Sequence, residues 1–592
     1  MKNLKPTFTL LFIMCIFNFS KAQEKSGLDI QQQNQSEVSG MIESNQNADN
    51  KLQNSSDEEE LSRGTLSVSY TYNGTWSPSS PIGVATSIDT ITLESGTVSI
   101  TADTVCDNFI VNAGAGVIID AGVTLTTAVI DLNSTSQEFS SLISNGTIVG
   151  IVNYHRYTSQ IGTNDLISSP LSNQNFGSFA TANDGVLAAS GAVRAFAPYN
   201  TFAGAYQNYN TVAHDVTPIE AGIGYRAATV LGGTLTFTGD VRSDDVLDVP
   251  ISDAVAGGAW NLIGNPYTAY IDFEDFFMLN KAQLADDSFQ AIYGYNGNPS
   301  DEWTCLNQAT IDAPAGTKAI APGQAFFVKA KAGGGLIDFT TSMRCVETSD
   351  DFIAGRTTTT SPHYGYVKLG LNSVSSNFST DFYFNTNTTQ GFDSGYDSAL
   401  YSQNPPAFSI YSNLIENNTG IPLGIQASNP DNLNTVAVPL GVNANQGEEV
   451  TISIIASDML DTVDVYLQDK ANNTFTLLTN SDYVFTPSTN LSGIGRFFLR
   501  FSAETLNTTE SVLETLDIYS NNNEDTIVVS GQLQSDTKAK LFDINGRMVL
   551  TNSLSANNTK NTIDVSHLSA GIYVVELNNG TNERQVQKLV IR

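Results

Sequence analysis

The sequence predicts a mainly β, multidomain protein: a short β-solenoid-like region, duplicated β-units, a β-sandwich and a C-terminal immunoglobulin-like sandwich. Three observations carry this. Apolar and polar residues alternate over short runs, as at Phe109, Val111 and Ala113 or at Phe497, Leu499 and Phe501, the period of a strand with one buried face. Only 15% of residues are charged, against about 25% in average proteins; Asn, Thr and Ser, which suit wetted strand faces and turns, fill the gap. With 592 residues, 41% of them hydrophobic, the chain can fill several cores of ordinary size.

Charge narrows the partners. The net charge is −33, from 60 acidic and 27 basic residues. A polyphosphate partner needs clustered Lys and Arg, so this balance argues against nucleic acid and against an anionic membrane surface. It fits an acidic exported protein kept dispersed by repulsion.

The N-terminus has the pattern of a signal peptide over 1–22. Lys2 and Lys5 precede an apolar run from Phe8 to Phe17, and Ser20-Lys21-Ala22 places small residues at −3 and −1. The run is too short to span a bilayer, and no transmembrane segment is expected in the mature chain. Residues 23–64 contain no aromatic residue and end near Asp57-Glu58-Glu59-Glu60. Such a stretch buries too little apolar area to offset its own ordering, so a disordered polar leader is expected.

From 65 to 150, alternating runs such as Val117 and Ile119, then Val123 and Leu125, meet at the corner Ala121-Gly122. This pattern suits a few coils of a β-solenoid or a plain β-meander. Residues 151–345 hold a duplication, with copies at 151–245 and 246–345. Leu166-Ile167-Ser168-Ser169-Pro170 aligns with Leu262-Ile263-Gly264-Asn265-Pro266, and Phe176 and Phe179 with Phe273 and Phe276. Gly222-Ile223-Gly224-Tyr225 aligns with Gly323-Gln324-Ala325-Phe326, and both copies close on a Gly-Gly turn before Phe237 or Phe339. Asp272 can cap a helix whose apolar face carries Phe273, Phe276, Phe277 and Leu284.

Residues 346–504 read as a β-sandwich. Val463, Val465 and Leu467 lead to a tight Asn472-Asn473 turn, and Phe475 and Leu477 return. A linker is expected at 505–511. About seven short strands then fill 512–592, with Asn545-Gly546 supplying a two-residue hairpin loop.

This last segment resembles the type A C-terminal sorting domain of the type IX secretion system. The matching elements are Asp543-Ile544-Asn545-Gly546-Arg547, then Leu568-Ser569-Ala570-Gly571-Ile572-Tyr573, and the terminal Lys588-Leu589-Val590-Ile591-Arg592. The resemblance marks Asp543, Asn545, Gly546, Arg547, Leu568, Gly571, Tyr573 and Lys588 as motif residues. It implies export across both membranes, with the type IX translocon and a surface sortase as partners, and attachment to lipopolysaccharide after cleavage in the 505–511 linker. Trp260 to Tyr267, Pro322 to Val328 and Val465 to Asp469 resemble a class of uncharacterised adhesin-like surface proteins exported by that route. That likeness implies location and transfers no catalytic residue.

The remaining chemistry is sparse. His155 sits within a strand, and His214-Asp215 are neighbours that would face opposite sides of one. Asp244-Asp245, Asp286-Asp287 and Asp350-Asp351 pair acids in loops, whereas a glycosidase needs two carboxylates across one bond. No zinc, P-loop or nucleophile-elbow spacing occurs, so no enzymatic activity and no cofactor are expected. Asp393 and Asp397 flank Gly395 and offer two oxygens to a calcium ion, which wants six or more. Tyr199, Phe202, Tyr206 and Tyr209, crowded into an Asn- and Gly-rich stretch, read first as aromatics anchoring a long β-loop to the core, with glycan contact as the alternative. Cys305 and Cys345 fall in one predicted domain and are the candidate disulfide, leaving Cys106 as a buried thiol.

Overall fold

The structure, a computed structural model, describes residues 66–592 apart from 296–302, 314–318, 349–362, 402–403 and 503–515, and, within the C-terminal segment, 522–523, 531–532, 534, 557, 559, 579–583 and 592. The expected signal peptide, polar leader and 505–511 linker lie outside the described residues.

Pairing direction separates the solenoid from the meander. Strand Thr90–Ile100 lies parallel to Asn108–Val111 and Ala115–Ile119, Asn108–Val111 to Thr124–Asn133, and Thr124–Asn133 to Thr147–Thr158. A meander would pair antiparallel. The coils turn at glycines with positive φ, including Gly114 at +78° and Gly122 at +80°. Inside, Leu93, Val111, Leu132 and Tyr154 stack rung on rung and are wholly buried. Each such side chain stabilises the stack by roughly 1.5–3 kcal/mol.

The last coil is not left as an open edge. Thr147–Thr158 pairs antiparallel with Gly233–Val241 of the first repeated unit, which sets Phe237 beside Tyr154 and continues the buried column.

The two units share one plan. In the first, the sheet order is Asp165–Ser168, Gly224–Ala227, Phe196–Asn200, Ala205–Tyr206; in the second it is Trp260–Gly264, Ala325–Lys329, Ile292–Gly294, Thr304–Leu306. Each carries an equivalent α-helix, and the second adds a short one over Gln308–Asp312. Phe176–Ala182 is capped by Asn175, which accepts the Ser178 N–H at 2.8 Å, and Phe273–Asn280 by Asp272, which accepts that of Asp275 at 3.0 Å. Phe273, Phe276 and Phe277 are buried as the pattern predicts. Leu284 is buried beyond the helix, which ends at Asn280 and passes into a 3-10 turn over Lys281–Gln283.

A second asparagine fixes each helix to the strand beside it. Asn183 donates to the Phe179 and Thr236 carbonyls and accepts the Thr236 N–H. Asn280 does the same with Phe276 and Asp338. The units also meet reciprocally. Ser168 N–H donates to Gly323 at 2.7 Å and Gly264 N–H to Gly222 at 3.0 Å, while Ile167 bridges Gln324 and Ile223 bridges Ile263. Equivalent residues thus contact each other's counterparts, the arrangement of a two-fold interface built within one chain. A Cβ at Gly264 would lie 2.6 Å from the Ser168 Cβ, so the approach requires glycine there.

Strands between His363 and Ser502 form one eleven-stranded sheet that folds over itself. Phe382 and Phe501 lie well apart in the strand order yet stack at 5.4 Å over a shared core, which makes the domain a sandwich. The loop joining Asp464–Asp469 to Thr474–Leu477 has four residues, Lys470 to Asn473, rather than a tight Asn-Asn pair; only Asn473 has positive φ. The buried Asp469 carboxylate organises it, accepting Arg496 in a fork and the Tyr483 hydroxyl at 2.7 Å. Burial opposes ionisation there, but these bonds outweigh it and hold the carboxyl below its ordinary range.

The candidate disulfide is not formed. Cys305 pairs with Tyr293 in one sheet and Cys345 with Tyr270 in another, and both are thiols. Cys106 is buried, as expected.

Candidate functional site

The C-terminal segment builds its own core from Ile518, Ile527, Ala539, Leu541, Ile563, Val575 and Ile591. Its larger sheet has the order Met548–Leu554, Thr537–Asp543, Gly571–Asn578, Arg584–Ile591. Register brings the motif together: Asp543 lies opposite Tyr573, Tyr573 opposite Leu589, and Gly571 opposite Ile591. Three sequence blocks spread over nearly fifty residues therefore converge on one end of a sheet.

The turn at that end differs from the expected two-residue loop. Asp543 accepts the Gly546 N–H at 2.9 Å, and Gly546 alone has positive φ, +76°, giving a three-residue loop with a glycine bulge. Asp543 holds it together. One carboxylate oxygen accepts the N–H groups of Asn545 and Arg547, and the other the Arg547 guanidinium at 3.1 Å. The Arg547 amide, then that of Asn545 and the guanidinium, draw the Asp543 carboxyl below its usual range. Arg547 itself is 80% exposed, so the loop presents a fixed cation to solvent. The Tyr573 hydroxyl donates to Ser569 at 2.8 Å and fastens the preceding turn, from which Leu568 packs half-buried against the domain core. Lys588 stands exposed opposite Val574. On the same outer face, Ile572 and Val590 pair and are both exposed, apolar positions that the motif reading missed.

The other candidates resolve differently. Tyr199 and Tyr206 face each other across a hairpin at 5.3 Å and both meet Phe327 of the second unit, while Arg226 lies 4.2 Å over the Tyr206 ring. Tyr209 packs on Phe176 and stacks on His214. Tyr199 and Tyr206 thus join the two units, and Tyr209 packs within the first; only Phe202, 76% exposed, is open to solvent. They do not make a stacking platform.

Asp393 and Asp397 turn their oxygens onto backbone. Asp393 accepts the Thr389 amide and hydroxyl, and Asp397 accepts the amides of Asp393 and Ala427. Burial pushes the Asp397 carboxyl up to about 8, against the pull of those amides. The loop straps the sandwich to the second unit: Ser394 donates to Asp286, Gln308 N–H to Gly395, and Ala399 N–H to Ser288. Among the described residues, no group of three or more His, Cys, Asp or Glu side chains is placed to hold a metal. The acidic pairs serve turns and ion pairs too, Asp245 accepting from Thr341 and Asp287 from Lys329; Asp350-Asp351 lie outside the described residues. Among the described residues, no helix is long and apolar enough to cross a membrane.

Comparison with known proteins places this architecture. Residues 517–592 match the secretion system C-terminal sorting domain, which makes the chain a type IX secretion substrate, sent to the cell surface or beyond it. Residues 61–501 match a family described as a domain of unknown function, DUF8693, and the chain belongs to that family. No curated protein matches the chain. A Bacteroides vulgatus protein with an immunoglobulin-like β-sandwich fold is 12% identical, covering 13% of this chain and 84% of its own, with a TM-score of 0.12. The BSP domain of a biofilm associated protein is 16% identical over 26% of this chain and 29% of that one, at a TM-score of 0.13. Dimeric latent PorU of Porphyromonas gingivalis is 10% identical over 39% and 30%, also at 0.13. Scores this low carry no argument about this chain.

Proposed function

We propose that the protein is a non-enzymatic, adhesive or structural component displayed on the outer face of the cell. A signal peptide over 1–22 takes it through the inner membrane, and the 512–592 domain is then read by the translocon. A surface sortase cuts within the 505–511 linker and joins the remainder to lipopolysaccharide. The described strands on either side of it end at Ser502 and begin at Asp517.

The observation that carries this reading is the convergence of Asp543–Arg547, Gly571–Tyr573 and the terminal strand on one end of a sheet. A folded tag recognised by shape needs such a contiguous, rigid surface. The test compares cells expressing the full chain with cells expressing a chain that stops at 511, fractionated into periplasmic, outer-membrane and released pools. The full chain is expected outside and the shortened one in the periplasm. Arrival of the shortened chain at the exterior in normal amount would remove the assigned route.

A further inference from the structure

We infer that the outer face of the solenoid sheet is a binding surface for an extended, uncharged polysaccharide lying across the strands. The inference rests on the display reading above and gives that surface a ligand class.

The face is ordered by register. Thr92, Ile110, Asp131, Asn153 and Thr238 stand in one row across five strands. Beside it Glu94, Asn112, Asn133, His155 and Thr236 form a second row. All are half-buried or exposed, while the residues between them point into the core.

The rows are tied by side-chain hydrogen bonds. Asn112 donates to Glu94 at 2.7 Å, Asn133 to Asn112 at 3.0 Å, and Asn153 to Asp131 at 3.0 Å. His155 places one ring nitrogen 3.0 Å from Asp131 and the other 3.0 Å from Thr236. Each amide and carboxylate is thus held in one orientation before any ligand arrives, with capacity left over, since a carboxylate or amide oxygen accepts more than one bond. Strand spacing repeats the pattern about every 4.8 Å. A chain of repeating hydroxyl-bearing units can meet that repeat; a compact ligand would use only a fraction of it.

Two further features select the ligand. Tyr157 lies two residues beyond His155 on the same outer face, and Ile151, 58% exposed, lies two residues before Asn153. An aromatic and an apolar side chain thus flank the polar rows, fit for the C–H faces of sugar rings. The charge is one-sided. Residues 66–155 contain no Lys or Arg and seven acids, so a polyanionic chain is repelled.

Purified full-length protein would be run by affinity electrophoresis through gels holding hydroxyethyl cellulose, galactomannan, laminarin or polygalacturonate. Retardation by at least one neutral polymer and none by polygalacturonate is expected. The variant Asn153→Ala/His155→Ala should bind at least tenfold more weakly. Ser99→Ala, on the other sheet of the solenoid, should bind as wild type. Ile110→Arg removes no ladder hydrogen bond and should block binding by bulk; it decides the matter if the double variant melts early. Retardation by no neutral polymer, retardation by polygalacturonate alone, or unchanged binding by Ile110→Arg overturns the inference. A protein that is exported but binds none of the neutral polymers sinks only this inference. One that binds but stays in the periplasm sinks only the display reading.

Discussion

The units at 151–245 and 246–345 differ mainly in what covers them. Both pin a capped helix with an asparagine, and both seat a phenylalanine pair on the closing strand: Phe179 on Phe237 at 4.7 Å, Phe276 on Phe339 at 5.2 Å. In the first unit that strand pairs with the last solenoid coil over seven residues. In the second, Gly335–Phe339 pairs only with its own Val246–Ile251, and the unit's aromatic side meets the sandwich instead, where Trp260 and Trp303 both pack on Tyr401. One scaffold therefore serves two purposes. The first copy extends the polar rows of the solenoid through Thr236 and Thr238, and the second joins the domains.

The sharpest way to break this comparison is to empty both cores. Phe179→Ala and Phe276→Ala each remove a wholly buried ring and should cost about 3–5 kcal/mol. If the copies are equivalent inside, the two losses match in urea unfolding. A loss confined to Phe276→Ala would mean that the solenoid, not the unit's own core, holds the first copy in place.

Smaller but more specific is the asparagine pin. Asn183→Ala and Asn280→Ala each leave buried backbone groups without partners, for about 2–4 kcal/mol. Asn183 also fixes the strand that carries Thr236. Amide exchange in 233–241 should therefore quicken in Asn183→Ala and stay unchanged in Asn280→Ala. Equal exchange in both variants would show the pins to be incidental.

These pins show where the sequence was readable and where it was not. The asparagines recur at the same offset, 97, as the helix caps Asn175 and Asp272, so the aligned copies contained the signal; it was missed because neither residue looks like a site. Strand periodicity and the glycine corners were plain, because alternation and positive φ are local. Parallel pairing was not, since a coil and a meander alternate alike. For the tyrosines at 199–209 a sugar platform stayed open beside anchoring to the core, because Phe327, which meets two of them, lies more than a hundred residues away. Cys305 and Cys345 shared a predicted domain, but sheet membership, which separates them, is set by pairing at a distance. The three motif blocks of the sorting domain were legible one by one, and their meeting at one sheet end followed only from register.

The smallest effect concerns the strap between the second unit and the sandwich. The loop that straps it to the sandwich is held by Asp397, whose carboxyl ionises near 3.8 when unfolded and is pushed up to about 8 by burial in the fold. Between those values the folded chain keeps a proton that the unfolded chain has lost. Stability from this group is thus complete below pH 4, falls by up to about 1.4 kcal/mol per pH unit as pH rises, and levels above 8. Asp397→Asn cannot titrate. The melting temperature of the wild type relative to that variant should therefore decline between pH 4 and 8 and then run parallel. Parallel curves across the whole range would mean that the carboxylate stays ionised on its two amides. The strap would then rest on hydrogen bonding alone, and the second unit's hold on the sandwich would be indifferent to pH in this range.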